Sequence, residues 1–272
     1  MKIHKVLILL LGATLTGPMA PAAERLPREQ LHALLNEANA AFQEANALVN
    51  NPDRSRQLYD KTILLYEKII GAGGIRNAKL YYNLANAYLL KEDVGRAVLN
   101  YRRAEQLDGS DINIRKNLAF ARSRRIDKVD VGTERRVLET LFFWHYDFSL
   151  KTKFLLTCLF FGALCIALTV RIWLGRGPAT SMTAVLSGVL CLCLLISVFI
   201  EARRQADTRY GVLTAAAVVA RQGDGPNYPP SFRDPLHAGT EFELIEQRPG
   251  WMHIKLSDGT DAWIPDDTAG LV

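Results

Sequence analysis

Hydrophobic and polar residues follow three different patterns along the chain. Residues 24–126 repeat apolar side chains at helical spacing, residues 153–201 are apolar almost throughout, and residues 210–272 alternate with a period of two. These patterns predict amphipathic helices, membrane-spanning helices and strands, respectively. The predicted fold class is therefore multidomain: an all-α helical repeat array, a two-helix transmembrane hairpin and a small all-β barrel.

The central region consists of two apolar runs, Phe154 to Trp173 and Ala179 to Ile200, separated only by the segment Leu174 to Pro178. Each run approaches the ~20 apolar residues that a helix needs to cross a hydrocarbon core. We predict transmembrane helices at 153–173 and 179–201. A connection this short places both flanking regions on one side of the membrane. The alternative is a buried helical hairpin of a soluble protein.

The N-terminal region contains a helical repeat. Residues 78–108 form two amphipathic patterns, with Lys91, Glu92 and Asp93 as the turn between them. The triplet Asn83-Leu84-Ala85 recurs 34 residues later as Asn117-Leu118-Ala119. An earlier pair is predicted at 27–49 and 55–70, with a long loop at 50–53. A closing helix is predicted at 111–125, where Arg115 and Arg122 provide the polar outer face that an end cap needs.

This period, with small residues at Ala85, Ala97 and Ala104 and tyrosines beside them, resembles the tetratricopeptide repeat. The resemblance implies that residues 24–126 bind a peptide or a partner helix in a groove lined by the first helix of each pair. The alternative for each groove position is an ordinary solvated helix face. The protein-binding residues implied are Lys79, Tyr82, Asn83, Asn86, Leu89, Lys116 and Asn117.

The C-terminal region predicts short strands and tight turns. Strands are expected at 216–221, 241–247, 251–256, 261–265 and 270–272, with an Asp-Gly hairpin turn at Asp258-Gly259. The segments 236–240, 250–251 and 262–264 resemble a bacterial SH3-like barrel, which implies an SH3-like domain over 210–272. Its ligand loop would use Tyr228, Pro230 and Phe232, although this loop is equally consistent with packed irregular chain.

The N-terminus resembles a secretory signal over residues 1–23, with Lys2 and Lys5 before a short apolar run and small residues at Ala20 and Ala22. Residues 127–152 are predicted to be a linker and an aromatic interfacial segment. An exported start places both flanks outside the cytoplasm. The positive residues at the membrane boundaries argue for the opposite orientation. These are Lys151, Lys153, Arg203 and Arg204 on the flanks, against Arg171 and Arg176 in the turn.

Charge and cysteine content exclude several classes of function. Residues 24–136 carry 20 Lys and Arg against 15 Asp and Glu, whereas residues 210–272 carry 4 against 9, so opposite charges can attract the two flanks to each other or to different partners. The basic excess is too small and too mixed with acids to predict nucleic-acid binding. All four cysteines lie in the hairpin. With no nucleophile or metal motif in the flanks, we predict neither an enzyme nor a cofactor.

The whole order of segments resembles the bacterial aerotolerance (Bat, BatE-like) tetratricopeptide-repeat membrane proteins. The resemblance rests on residues 83–104, 111–122, 142–145 and 223–251. It implies a multi-pass protein of the bacterial inner membrane, with both soluble domains periplasmic, in an envelope stress complex with von Willebrand factor A-type membrane proteins. The expected function is a non-enzymatic scaffold. The alternative is a peptidoglycan-binding or peptidoglycan-sensing protein that acts through the SH3-like module.

Overall fold

The computed structural model describes residues 26–48, 50–127, 141, 142, 144, 148, 150–175, 177–207 and 209–272. The predicted signal peptide lies outside these residues, as does most of the predicted linker and aromatic segment. The described part is mostly helical and contains a small antiparallel sheet.

Five amphipathic helices form the N-terminal domain, called the helical domain below. The side chains of Asn51, Asn77, Asp93 and Asp111 accept hydrogen bonds from backbone amides at the starts of α2 to α5, which satisfies amides that a helix start leaves free. The longer connection predicted at 50–53 lies two residues earlier, at 48–51, because Pro52 already begins α2. The helices are α1 (Arg28–Ala47), α2 (Pro52–Gly71), α3 (Ala78–Leu90), α4 (Val94–Leu107) and α5 (Ile112–Ser123).

The helices pack in consecutive pairs, α1 on α2 and α3 on α4, and α5 closes the array against α4. Small residues at the helix contacts allow close approach, since Ala85, Ala97 and Ala104 are completely buried. Large side chains such as Tyr66 and Tyr101 fill the spaces beside them and are at most 1% exposed. Alternating small and large residues at these contacts builds one continuous core.

Two long apolar helices follow, α6 (Leu150–Leu174) and α7 (Pro178–Asp207), and they pack against each other. Both are long and apolar enough to cross a membrane, with mean hydropathies of 2.2 and 2.6 in their most apolar windows. Lys153 is completely buried and pairs with Glu201 across the two helices. This pair neutralises one of the boundary lysines that disagreed with the predicted orientation.

The C-terminal β-domain contains a five-stranded antiparallel sheet in the order β6-β5-β4-β1-β7 and a separate β2-β3 pair. The predicted hairpin of β5 and β6 is confirmed, with Gly259 at a positive φ of 92° in its turn. The strands are β1 (Arg209–Leu213), β2 (Ala217–Val218), β3 (Leu236–His237), β4 (Glu241–Arg248), β5 (Trp251–Lys255), β6 (Asp261–Pro265) and β7 (Ala269–Leu271).

The helical domain and the β-domain pack directly against each other along α4. Strand β1 runs antiparallel to α4, because Tyr210 lies over Arg102 near the end of the helix and Leu213 meets Gly95 at its start. Val212 is completely buried within the core of the helical domain. The two flanks, predicted as separate modules, therefore pack directly against each other, although the β-domain also has a core of its own around Leu213 and Ile254.

Candidate protein-binding groove

A row of asparagines crosses the odd-numbered helices. Asn39 lies on α1, Asn83 and Asn86 lie on α3, and Asn117 lies on α5; we call these four residues the asparagine row. All four are partly buried. Their positions agree with the groove residues that the sequence implied on α3 and α5, and the structure adds Asn39, which sequence reasoning missed because α1 matches the repeat poorly.

Buried tyrosines hold the asparagine row in place. The Tyr66 hydroxyl donates to Asn39 Oδ1 at 2.7 Å and is also hydrogen-bonded to Asn83, so it links α1 to α3. Asn117 Nδ2 donates to Tyr82 Oη at 2.9 Å and to Asn86 Oδ1 at 3.1 Å, so it links α5 to α3. Together these hydrogen bonds connect α1 to α3 and α3 to α5.

Burial shifts the acidity of these tyrosines. Loss of water raises the pKa of the Tyr66 hydroxyl, and its hydrogen bond to Asn83 only partly offsets this. Burial likewise raises the pKa of Tyr101, whose hydroxyl donates to Asn86. Both hydroxyls therefore remain protonated donors at neutral pH, and they fix the Asn39 and Asn86 oxygens as acceptors.

The fixed amides retain hydrogen-bonding capacity. Within the Asn86–Asn117 pair, Asn86 Nδ2 and Asn117 Oδ1 make no hydrogen bond to another described residue, so the pair keeps both N–H donors and a carbonyl acceptor for a ligand. Lys79 and Lys116 are exposed, whereas Tyr82 and Leu89 are partly buried against the core. The row and its lysines can bind a peptide backbone or a carboxylate, while Tyr82 and Leu89 also stabilise the array.

The predicted ligand loop of the β-domain is ordered by its own contacts. Tyr228 covers Gly223, and its carbonyl accepts a 2.7 Å hydrogen bond from Arg221 Nη1. Tyr228 is 48% exposed and Pro230 is exposed, but Phe232 packs against the core of the β-domain. Tyr228 and Pro230 are thus accessible to a ligand, and a binding role for this loop remains a prediction.

Trp263 is an internal residue of the β-domain. Its ring is stacked on His253 at a centroid distance of 4.7 Å, and the Arg248 guanidinium lies 4.7 Å from the same ring. His253 Nε2 lies 2.7 Å from an Asp261 oxygen. With 8% exposure, Trp263 offers little surface to a ligand and acts mainly in packing.

A cluster of charged side chains at the domain boundary was missed by sequence reasoning. Arg122 makes two 2.7 Å hydrogen bonds to the two carboxylate oxygens of Glu241, and Arg102 and Arg125 lie 3.2 and 3.1 Å from it. We call these four residues the arginine clamp. Arg122, predicted to face solvent on an end cap, instead binds the β-domain, and that prediction is wrong.

The arginine clamp determines the ionisation of Glu241. Burial alone would raise the pKa of this carboxyl, but the hydrogen bonds and positive charges of the arginines outweigh burial and hold its pKa below the usual value. The opposite charge balance of the two flanks suggested attraction between them. No periodicity in the sequence could have paired Glu241 with arginines on α4 and α5.

Asp127 makes a second link between the domains. Its carboxylate accepts hydrogen bonds from the His237 amide at 2.6 Å and from Thr240 Oγ1 at 2.9 Å, and it lies 2.8 Å from His237 Nδ1. Burial would raise the pKa of Asp127, but these hydrogen bonds lower it overall. Asp127, the first residue of the predicted linker, is therefore fixed to the β-domain.

Known proteins provide no further identification. Within the described residues, no group of three or more His, Cys, Asp or Glu side chains is placed to hold a metal ion. No protein-family model matches the chain, and no curated protein matches it in a sequence search. The candidate site therefore rests on its own geometry.

Proposed function

We propose that this chain is a non-enzymatic, membrane-anchored scaffold that binds partner proteins through a tetratricopeptide groove formed by α1, α3 and α5. The asparagine row is the observation that supports the proposal. It crosses α1, α3 and α5 of the helical domain and carries amides that tyrosine hydroxyls hold in fixed orientations. Amides fixed before binding lose little side-chain entropy when a ligand docks, which favours recognition of a polar backbone.

The charges beside the asparagine row favour an acidic or carboxylate-bearing ligand. Lys79 stands in the first turn of α3 and Lys116 in the middle of α5, and both are exposed. Lysine ammonium groups at the edge of a binding site attract and orient a negatively charged ligand, but they add little to its affinity. An extended segment of a partner protein that carries a carboxylate matches this combination of amides and lysines.

The resemblance of the chain to Bat-type proteins supplies the proposed setting. The partners would be von Willebrand factor A-type membrane proteins in an envelope stress complex. Helices α6 and α7 would anchor the scaffold in the bacterial inner membrane, with the helical domain and the SH3-like β-domain in the periplasm. Their length and mean hydropathy support the anchor.

Charge reversal on the groove tests the proposal. Lys79→Glu and Lys116→Glu should each reduce co-purification of partner proteins from native membranes by about three- to tenfold, because a rim charge pair contributes up to about 1 kcal/mol and like charges repel. Folding should be preserved, since both side chains are exposed.

Arg54→Glu is the matched control. Arg54 lies in the first turn of α2, as Lys79 does in α3, so the substitution changes the same charge at an equivalent helix position on an even-numbered helix. Co-purification should be unchanged in this variant. Equal recovery of partners from the Lys79, Lys116 and Arg54 variants would remove the groove assignment.

A further inference from the structure

One end of the helical domain lies next to the ends of the two apolar helices. A single residue separates the end of α7 from the start of β1, and the first half of β1 packs on the C-terminal half of α4. The Arg103 guanidinium, also near the end of α4, donates two hydrogen bonds to the Leu271 carbonyl of β7 at 3.0 and 2.7 Å. The end of α4 therefore points toward the apolar hairpin, and its start points away.

The first turn of α6 supports the same orientation independently. Hydrogen bonding from Ser110 holds the pKa of Asp108 below its usual range, and the nearby Lys151 ammonium contributes to this lowering. Asp108 follows the last residue of α4, and Lys151 is the second residue of α6. The turn between α4 and α5 thus lies close to the start of the first apolar helix.

The turn between α2 and α3 lies at the same end of the domain. Ile70 at the end of α2, Ala78 at the start of α3, Ala104 late in α4 and Ile114 early in α5 all contact one small apolar cluster. The two turns, residues 72–77 and 108–111, therefore form a single edge. We call it the proximal edge; the turn at 91–93 lies at the opposite, distal edge.

The proximal edge carries exposed basic and apolar side chains. Lys68 and Arg76 are exposed beside the first turn, and Leu107 and Ile112, which flank the second turn, are 43% and 54% exposed. Asp108 and Asp111 on the same edge keep their negative charge, but their short side chains accept hydrogen bonds from Ser110 and from the Asn113 amide. The longer Lys68 and Arg76 side chains are the exposed cations that can reach a lipid surface. Cations beside apolar side chains are the combination that binds an anionic lipid surface.

We propose that the proximal edge of the helical domain binds the anionic headgroup layer of the membrane that α6 and α7 cross. This inference rests on the proposed membrane anchor. Lys68 and Arg76 contact lipid phosphates, and Leu107 and Ile112 insert among the headgroups. Each basic residue near an anionic surface contributes about a fivefold increase in affinity at low salt. The surface contact adds to the anchor and holds the groove in one orientation to the bilayer.

Hydrogen exchange of the full chain in lipid nanodiscs tests the contact. Backbone amides of residues 72–77 and 107–112 should exchange at least about fivefold more slowly in nanodiscs containing phosphatidylglycerol than in phosphatidylcholine alone. Amides at 91–93 should exchange equally in both lipids. The double variant Lys68→Glu/Arg76→Glu should lose the protection, and Arg54→Glu/Arg56→Glu, which changes the same charge at the distal edge, should retain it.

Two outcomes would overturn the inference, and they are distinguishable. Insertion into nanodiscs with equal exchange of the proximal turns in both lipids would remove the headgroup contact and leave the scaffold proposal intact. Failure of the chain to insert at all would remove both the contact and the membrane anchor.

Discussion

At the scale of single residues, local patterns identified candidate groove positions, but they could not identify the arginine clamp. Asn83, Asn86 and Asn117 occupy positions that the repeat period identifies, and the structure places Asn86 and Asn117 in direct contact. Glu241 is 119 residues from Arg122 in sequence, and neither residue has an unusual neighbourhood. Such a pair depends on how two domains dock, and this information is not contained in any local spacing.

Substitution of Glu241 measures the strength of the clamp. Glu241→Gln should lower the stability of the full chain in detergent at pH 7 by about 2 kcal/mol. Breaking a buried ion pair costs about 3–5 kcal/mol, and the 22% exposure of the Glu241 side chain reduces this cost. Glu243→Gln, at an exposed position two residues further along β4, is the control and should change stability by less than about 0.5 kcal/mol.

The effect of Glu241→Gln should depend on pH in a defined direction. The folded-state pKa of Glu241 is depressed, so its contribution is complete above the ordinary pKa of 4.5 and is lost as pH falls through the folded value. Thermal unfolding of both proteins should therefore converge below pH 4.5. A difference in stability that stays constant down to pH 3 would contradict ionic binding of Glu241.

At the scale of elements, long periodic segments were predicted closely, whereas short strands were predicted only in part: β2 and β7 overlap predicted strands, but β1 and β3 were missed. The helices and the β5-β6 hairpin have enough residues to establish a period, and the predicted bounds of β6 agree with those observed. Strands β2 and β3 have two residues each, and their pairing depends on the rest of the fold. β1 was missed because its five residues directly follow α7 and contain too few alternations to separate the strand from the helix.

Gly95 tests the contact between α4 and β1. A Cβ at this position would lie 2.7 Å from the Leu213 carbonyl oxygen and 3.0 Å from Thr214 Cα, both of which are backbone atoms that cannot move independently. Gly95→Ala should therefore destabilise the chain by about 1–3 kcal/mol, although the same change in an open helix stabilises by up to about 1 kcal/mol.

Gly71→Ala is the matched control, because a Cβ there meets nothing within 4 Å at the end of α2. Thermal unfolding in detergent should give opposite signs for the two variants. A Gly95→Ala protein as stable as the Gly71→Ala protein would show that the domains are not in close contact along α4.

At the scale of the whole molecule, the sequence predicted the order of segments but not the packing of the helical domain against the β-domain. The two flanks were expected as separate modules, yet Val212 of the β-domain is buried in the helical core. An isolated fragment of residues 210–272 would expose this side chain, so binding by the β-domain has to be measured on the full chain. This packing brings together two domains that are separated in sequence by the 58 residues of the two apolar helices and their connection, 150–207.

The packing of the two domains against each other predicts that both lie on the same side of the membrane. Single cysteines introduced at Glu92 in the helical domain and at Asp258 in the β-domain should be labelled by a membrane-impermeant maleimide from the same side of the membrane. Both positions are exposed, and replacing the four native cysteines, all on α6 and α7, removes the background labelling. Labelling from opposite sides would contradict both the packing of the domains and the hairpin.

The direct passage from α7 into β1 limits where a partner can be reached. One residue, Thr208, separates the helix from the strand, so the β-domain and the α4 that packs on it cannot rise away from the end of α7. Helix α4 has 14 residues and is about 21 Å long at 1.5 Å per residue. If α7 crosses the membrane as proposed, a ligand for the groove has to approach near the bilayer, at a height set by α4 and by the part of α7 beyond its apolar span. Juxtamembrane segments of other membrane proteins satisfy this condition, whereas a tail that extends far from the bilayer would have to fold back to reach it.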